Sequence, residues 1–227
     1  MMFKGMLNIL FPKYCPGCGD YLDASDLKLC IPCLNALPLT HFHQWNDPRF
    51  ADKFYGQIPL VQGTALLHYH KKGLAQKLIH QFKYHGRKDI GQWLGHWLGS
   101  ELKTLETYKG LSAVVPVPMH RSKRRQRGYN QAAVFGAALA QAMDLPLWED
   151  LLIQTKSRAT QAKQGRWGRM VHEHEFHLNP NRPTTQSPQA ILLVDDVVTT
   201  GATLAACGRL ISRALGATLS CATIAIA

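Results

Sequence analysis

The sequence has no long hydrophobic run, and this absence limits where the protein can reside. A membrane-spanning helix needs roughly 18 consecutive apolar residues, and no segment of the 227 residues approaches that length. The apolar N-terminus, MMFKGMLNILFP, is short, is interrupted by Lys4 and lacks the cleavage chemistry of a signal peptide. We therefore expect a cytoplasmic protein.

Acidic residues are scarce relative to basic ones. The chain contains 15 Asp and Glu against 26 Lys and Arg, which gives a formal charge of +11 and a pI near 9.5. This excess favours a polyanionic partner, such as a phosphate-bearing ligand or single-stranded DNA. The sequence does not show the interleaved aromatic residues on which single-strand-binding proteins stack bases, so DNA is one of several open alternatives.

Cysteine is infrequent, and most of it lies in one N-terminal segment. Two Cys-x-x-Cys pairs are separated by eleven residues, namely Cys15 with Cys18 and Cys30 with Cys33. This spacing is typical of a tetrahedral Zn2+ site with four thiolates, which stabilises a fold and leaves no open position for catalysis. Two disulfides are the alternative, and the lack of a secretory signal disfavours them. Cys207 and Cys221 lie in apolar segments and are expected in the core.

A nucleoside-triphosphate P-loop is also missing, because no Gly-Lys-Ser/Thr follows the most informative turn of the chain. That turn lies in residues 194–203, VDDVVTTGAT. The preceding run Ala190–Val194 is apolar without interruption, which is typical of a strand buried on both faces of a parallel sheet. Apolar residues at helical spacing follow the turn and stop at Gly216, a candidate helix C-cap.

The composition of this turn favours a sugar-phosphate ligand. The first backbone N–H groups of a helix have no partner within the helix, and the helix dipole adds positive potential there, so a phosphate is favoured. Three threonines add hydroxyl donors, and Gly201 can adopt the positive φ that lets the backbone approach an anion. Asp195 and Asp196 would repel a phosphate but suit the hydroxyls of a ribose. The alternative is that the acids and threonines only stabilise the helix start.

The segment 194–203 resembles the phosphoribosyl-pyrophosphate (PRPP) loop of type I phosphoribosyltransferases. Three further segments narrow the resemblance to the ComF-like branch, which comprises competence-associated proteins with an N-terminal double zinc ribbon. They are the two cysteine pairs, the block 115–131 (VPVPMHRSKRRQRGYNQ) and Arg158-Ala159-Thr160-Gln161. The resemblance implies that Asp195 and Asp196 are the catalytic acids, and that Mg2+ accompanies PRPP. The loop residues that it implies for PRPP binding are Val197, Val198, Thr199, Thr200, Gly201, Ala202 and Thr203.

The same resemblance places pyrophosphate beside the basic segment that follows the predicted strand Ala113–Val117. Both turns should face one pocket, because the carboxyl ends of parallel strands meet at one edge of the sheet. A charge run of this kind is alternatively a solvated or nucleic-acid-facing surface. The resemblance implies that the polar stretch around 158–169 is a closing lid, although Arg169–His172 lacks an asparagine that the branch usually has. The pyrophosphate and lid candidates are Pro118, His120, Arg124, Arg127, Asn130, Arg158, Thr160, Gln161 and Arg166.

Alternating strands and helices predict an α/β fold with a doubly wound parallel sheet. The resemblance implies that this sheet is of the type I phosphoribosyltransferase type and that a small zinc-ribbon module with four cysteine ligands precedes it. We place the module at residues 1–50 and the phosphoribosyltransferase-like domain at 51–227. Other expected elements are a strand at Thr64–Tyr69, a helix ending near Gly86, a helix capped by Asp89, a basic loop after Val117 and a helix at Gln131–Met143.

The family chemistry displaces pyrophosphate from C1 of PRPP with a nitrogen nucleophile, but no segment shows a recognisable acceptor pocket. The residues leave open whether this chain catalyses transfer or only binds. One alternative is a non-catalytic PRPP sensor, and another is a single-stranded-DNA-binding competence factor in which the zinc module and basic loop contact DNA. The sequence thus predicts a PRPP-binding phosphoribosyltransferase-like protein that the resemblance links to DNA uptake.

Overall fold

The computed structural model describes residues 13–22, 28–45, 47–155, 175–181 and 188–227. The strands are β1 Lys13–Tyr14, β2 Tyr21–Leu22, β3 Gln62–His68, β4 Ala113–Pro116, β5 Leu152–Gln154, β6 Phe176–Leu178, β7 Ala190–Val198 and β8 Thr218–Ile226. The helices are α1 Ile31–Asn35, α2 Phe42–Trp45, α3 Arg49–Asp52, α4 Leu74–Tyr84, α5 Lys88–Lys103, α6 Arg121–Arg127, α7 Gln131–Ala142 and α8 Ala202–Leu215. A short 3-10 turn follows α5 at Glu106–Tyr108.

Four parallel strands form the central sheet in the order β3-β8-β7-β4. Successive residues of β7 face opposite sides, so Leu192 and Val194 join one core while Ile191 and Leu193 join the other. A strand with both faces covered must be apolar throughout, which explains the unbroken run in the sequence. The predicted doubly wound parallel α/β sheet is confirmed.

Helices cover both faces of this sheet. The residues of α4, α5 and α7 pack on one face, and α8 packs on the other with α2 and α3. The helices α5 and α7 approach closely because α5 presents glycines, and a Cβ on Gly95 would lie 2.4 Å from the Phe135 carbonyl oxygen. Cys207 and Cys221 are fully buried, as expected. In the part of the chain that the structure describes, no helix combines the length and the apolar character needed to cross a membrane.

Two local predictions were wrong. The basic segment after β4 is the helix α6, not a loop, because His120 Nδ1 accepts the Ser122 N–H at its start and Gly128 ends it with φ 80°. Asp89 does not cap α5, since the helix begins one residue earlier at Lys88. The Asp89 carboxylate instead accepts hydrogen bonds from the Arg87 guanidinium at 2.9 Å.

The N-terminal cysteine segment packs directly against α4. Gly17 lies against Leu74, and Lys77 Nζ donates to the Gly17 carbonyl at 3.1 Å. Residues 38–40 then run antiparallel along the edge of β3, where the Thr40 N–H donates to the Leu66 carbonyl at 3.0 Å. Phe42 of α2 and Phe50 of α3 follow and are buried against the sheet. The predicted division at residues 50 and 51 falls inside this packed stretch.

Candidate functional site

The two adjacent acids lie at the carboxyl edge of the central sheet. The strand β7 continues to Val198, four residues beyond the predicted strand end, so Asp195 and Asp196 belong to the strand itself. Asp195 lies opposite Thr223 of β8, and both acids line a cavity of about 590 Å³. Because β4, β7 and β8 are parallel, their carboxyl ends open onto this one cavity, as the sequence predicted for the two turns.

The turn after β7 forms a second, smaller cavity of about 170 Å³ that is lined by Asp195 and residues 197–204. Gly201 has φ 75°, the left-handed conformation expected from the sequence. The helix α8 begins at Ala202, and the Ala205 N–H donates to the Gly201 carbonyl at 2.8 Å. The amides of the first turn therefore point out of the helix toward this cavity, which suits an anion.

Lys53 contacts the backbone of this turn, and no sequence pattern indicated that contact. Its Nζ donates to the Thr199 carbonyl at 2.8 Å and to the Ala227 carbonyl at 2.7 Å. The neighbouring Phe54 ring lies 3.0 Å from the position that a Cβ on Gly201 would occupy. The turn is thus held between the end of β8 and the segment after α3, and a Cβ at residue 201 would crowd the Phe54 ring.

Lys83 forms an ion pair with Asp196, another contact that sequence reasoning missed. Its Nζ lies 3.0 Å from both carboxylate oxygens, and the two side chains are 18% and 13% exposed. The Asp196 N–H in turn donates to Asp195 Oδ1 at 2.8 Å. Lys83 follows the last buried residue of the apolar stripe in α4, and nothing in the local sequence indicates which acid it meets. The site consequently carries a cation next to its acid pair.

The basic residues of α6 divide between two faces of that helix. Lys123 and Arg127 are four residues apart, so they share a face, and both line the large cavity. Arg124 is exposed and lines neighbouring surface grooves instead. The Arg127 guanidinium lies 5.4 Å from the centre of the Tyr84 ring and donates to Gln131 Oε1 at 3.2 Å. Of the two arginine candidates on α6, the structure therefore places Arg127 in the cavity of the acid pair and Arg124 outside it.

Three further candidates, Pro118, His120 and Asn130, lie in the segment that joins β4 to α7. Pro118 lines the cavity itself. The His120 N–H donates to Gln154 Oε1 at 2.8 Å, while its ring caps α6. Asn130 donates to the Val117 carbonyl at 3.0 Å, and its side-chain oxygen accepts the Ala132 N–H at the start of α7. Asn130 thus ties the turn after β4 to a helix start, and direct contact with an anion stays a prediction.

The lid candidates Arg158, Thr160, Gln161 and Arg166 lie outside the described residues. The hairpin of β5 and β6 flanks that segment, with Gln154 opposite Phe176. Both of these residues line the large cavity. The residues on both sides of that segment therefore line the same cavity as the acid pair.

The four N-terminal cysteines form a compact cluster. Their sulfurs all lie within 4.8 Å of one another, and the Sγ atoms of Cys18 and Cys30 are 3.5 Å apart. Burial opposes ionisation of Cys15, yet backbone hydrogen bonds from Cys30, Cys18 and Gly17 outweigh it and lower the pKa of this thiol to about 6. Burial and the neighbouring sulfurs raise the pKa of Cys33. One cation bound by all four sulfurs would favour the thiolate form of each cysteine, including those whose thiol pKa is raised here. The donor set is compatible with structural zinc.

Comparisons with known proteins give relatives along most of the chain. Competence protein F of Haemophilus influenzae is 30% identical over 215 residues, which cover 92% of this chain and 89% of that protein. DNA utilization protein YhgH of Escherichia coli O157:H7 is 28% identical over 63% of each chain. Competence protein ComFC of Bacillus subtilis is 27% identical over 58% of this chain and 50% of that protein. No family model matches the sequence.

Among solved structures, a hypoxanthine phosphoribosyltransferase from Staphylococcus aureus aligns with a TM-score of 0.34 and 16% identity, over 61% of this chain and 62% of that one. An adenine phosphoribosyltransferase from Trypanosoma brucei, in complex with AMP, pyrophosphate and ribose-5-phosphate, aligns with a TM-score of 0.35 and 14% identity, over 61% and 54%.

Proposed function

The chain belongs to the ComF family of competence-associated proteins, and from this premise we propose that it binds PRPP at the carboxyl edge of its parallel sheet. One observation carries the proposal. The acid pair on β7 and the turn with a positive-φ glycine at the start of α8 open onto adjoining cavities that share Asp195 and Thr203. A ribose held by the acids would thus have a phosphate site in the adjoining cavity at the start of α8.

The charges around the cavity support the same ligand. The carboxylates of Asp195 and Asp196 accept hydrogen bonds from ribose hydroxyls, and the N-terminus of α8 attracts the 5′-phosphate. Lys123 and Arg127 face the cavity from α6 and are placed to attract the pyrophosphate. The ligand would therefore extend along the carboxyl edge of the sheet, from the start of α8 to α6.

Magnesium belongs to this proposal as a companion of the ligand. In the described ranges the four cysteines form the single group of three or more His, Cys, Asp or Glu side chains close enough to share a metal. Mg2+ is usually held by phosphate oxygens with one or two carboxylates, so the pyrophosphate and the acid pair would supply its donors. When bound, the ion would neutralise the charge of the leaving pyrophosphate.

The reaction that this arrangement supports is displacement of pyrophosphate from C1 of the ribose. Asp195 and Asp196 would hold the sugar and place negative charge near the cation that develops on its ring. A PRPP sensor would use the same contacts without transfer. Pyrophosphate release with a panel of amines and bases distinguishes the two, since a sensor binds PRPP and releases none.

Single-stranded DNA is the second candidate partner, and a distinct surface favours it. Arg121, Arg124 and Arg125 are exposed on α6. This surface adjoins the cavity without sharing its acids, so DNA and PRPP could bind together. A role in the handling of DNA would agree with the names of two relatives, competence protein F and DNA utilization protein YhgH.

The proposal is tested by calorimetric titration of PRPP with MgCl2 into the full chain and into the double variant D195N/D196N. We expect binding to the wild type and none to the variant, because amides cannot replace the carboxylates as paired acceptors and carry no charge. D144N is a matched control, since Asp144 is an exposed acid paired with Lys103 outside the site. Absence of PRPP binding to the wild type would exclude the proposed function.

A further inference from the structure

Lys83 and Asp196 form a largely enclosed ion pair at the carboxyl edge of the sheet. The two side chains retain 18% and 13% of their exposure, and Nζ is shared between both carboxylate oxygens at 3.0 Å. The pair joins α4 to β7 across 113 residues of sequence. An ammonium group thus occupies one side of a carboxylate that the ribose would also contact.

The position of Lys83 is fixed by the packing of α4. Leu78, Ile79 and Phe82 are buried in the core on the preceding turns. The buried hydroxyl of Tyr129 donates to the Phe82 carbonyl, which anchors the last turn of the helix to the segment before α7. The backbone of Lys83 is therefore held within reach of Asp196, and the Nζ contact needs no movement of α4.

The charge balance explains why a cation is useful there. A sugar phosphate brings negative charge toward two adjacent carboxylates. Repulsion between these like charges opposes binding of the ligand. One ammonium on Asp196 offsets one of the two acids. Each carboxylate oxygen has two lone pairs, so an oxygen that accepts from Lys83 can still accept from a ribose hydroxyl. Lys83 thereby lowers the repulsion without blocking the hydroxyl contacts.

We propose that Lys83 is a built-in counter-cation of the ribose site, and that it lets the chain bind ribose 5-phosphates that carry no pyrophosphate without a divalent metal. This inference rests on the proposed ribose site. Magnesium would then be needed only for ligands with a pyrophosphate. Lys83 is a positioning residue here, since it acts on the ligand through Asp196.

The test is calorimetric titration of ribose 5-phosphate into the zinc-loaded full chain, in metal-depleted buffer and in buffer with MgCl2. No chelator is used, because it would also remove zinc from the cysteine cluster. We expect the wild type to bind equally in both buffers. K83M should bind about tenfold more weakly without magnesium, a loss of about 1.4 kcal/mol, and regain affinity with it. K83R keeps the charge and should retain metal-free binding.

K103M is the matched control, since it removes a lysine that pairs with Asp144 outside the site. The inference is overturned if the wild type requires magnesium for ribose 5-phosphate, if K83M binds like the wild type, or if magnesium fails to restore K83M. PRPP with MgCl2 serves as the parallel titration. Wild-type protein that binds PRPP but not metal-free ribose 5-phosphate refutes the role of Lys83 alone, whereas protein that binds neither refutes the proposed function as well. If K83M does not fold by circular dichroism, the wild-type and K83R titrations decide.

Discussion

Replacing Gly201 by alanine should damage both the stability of the fold and its binding of PRPP. Gly201 has φ 75°, a conformation that costs a residue with a Cβ roughly 1 to 2 kcal/mol. A Cβ there would also lie 3.0 Å from Phe54 Cε1 and 3.2 Å from the Lys53 carbonyl oxygen. Phe54 is buried and cannot move freely, so crowding adds about 1 to 3 kcal/mol. We expect G201A to lose about 2 to 5 kcal/mol in total.

Gly216 supplies the matched control for this prediction. It ends α8 with φ 68°, and a Cβ there would meet no atom within 4 Å. G216A therefore carries the backbone cost alone, about 1 to 2 kcal/mol, and no crowding. The effect of Gly-to-Ala replacement on the unfolded chain is common to both variants and cancels in the comparison.

Urea unfolding of the two variants and the wild type measures these free energies, and PRPP titration measures binding. G201A should be less stable than G216A and should bind PRPP about tenfold more weakly or worse, because the amides at the start of α8 are displaced. G216A should bind like the wild type. Equal stability of the two variants would show that the turn does not approach Phe54 as described. Unchanged PRPP binding by G201A would show that this turn is not the phosphate site.

Three other predictions address the zinc module, pH and the two faces of α6. Chelation should remove about one zinc per chain and lower the Tm. It should also weaken PRPP binding, since the cysteine segment is hydrogen-bonded to α4 through Gly17 and Lys77. An unchanged Tm after metal removal would contradict this prediction. Burial lowers the pKa of His43, so the folded state resists its protonation and stability should fall as the pH drops below about 6.5. H43Q should flatten that part of a Tm-against-pH curve, and a curve identical to the wild type would exclude His43 as the cause. R127M should weaken PRPP binding more than R124M, because of these two arginines only Arg127 lines the cavity. R124M should instead reduce the affinity for single-stranded DNA and the salt dependence of that affinity. The reverse ranking would show that Arg124 serves the PRPP site and Arg127 the DNA-binding surface.

The sequence by itself determined the features that depend on local geometry. The cysteine spacing predicted a cluster of four sulfurs, because a two-residue gap lets one turn present two side chains. The apolar run Ala190–Val194 predicted a buried parallel strand, since both faces of such a strand must be covered. Gly201 and Gly216 both adopt the positive φ expected of them, because that conformation is inexpensive only for glycine.

The helix α6 marks the limit of this local reasoning. Its run of basic residues was expected to be a loop, and its position after a buried strand predicted an anion site there. The structure forms a helix, and the helical period of 3.6 residues then separates Arg127 from Arg124. Charge density was visible in the sequence, but the side chains that reach the acids depend on which helical face meets the sheet.

Only the tertiary structure decided which charges meet at the site. Lys83 contacts Asp196 across 113 residues, and Lys53 contacts Thr199 across 146. No local pattern encodes such pairs, because they follow from how α4 and the segment after α3 pack onto opposite faces of the sheet. Local spacing therefore specified the acids, the glycine turn and the cysteine cluster, whereas the packing of distant elements specified the cations that balance and support them.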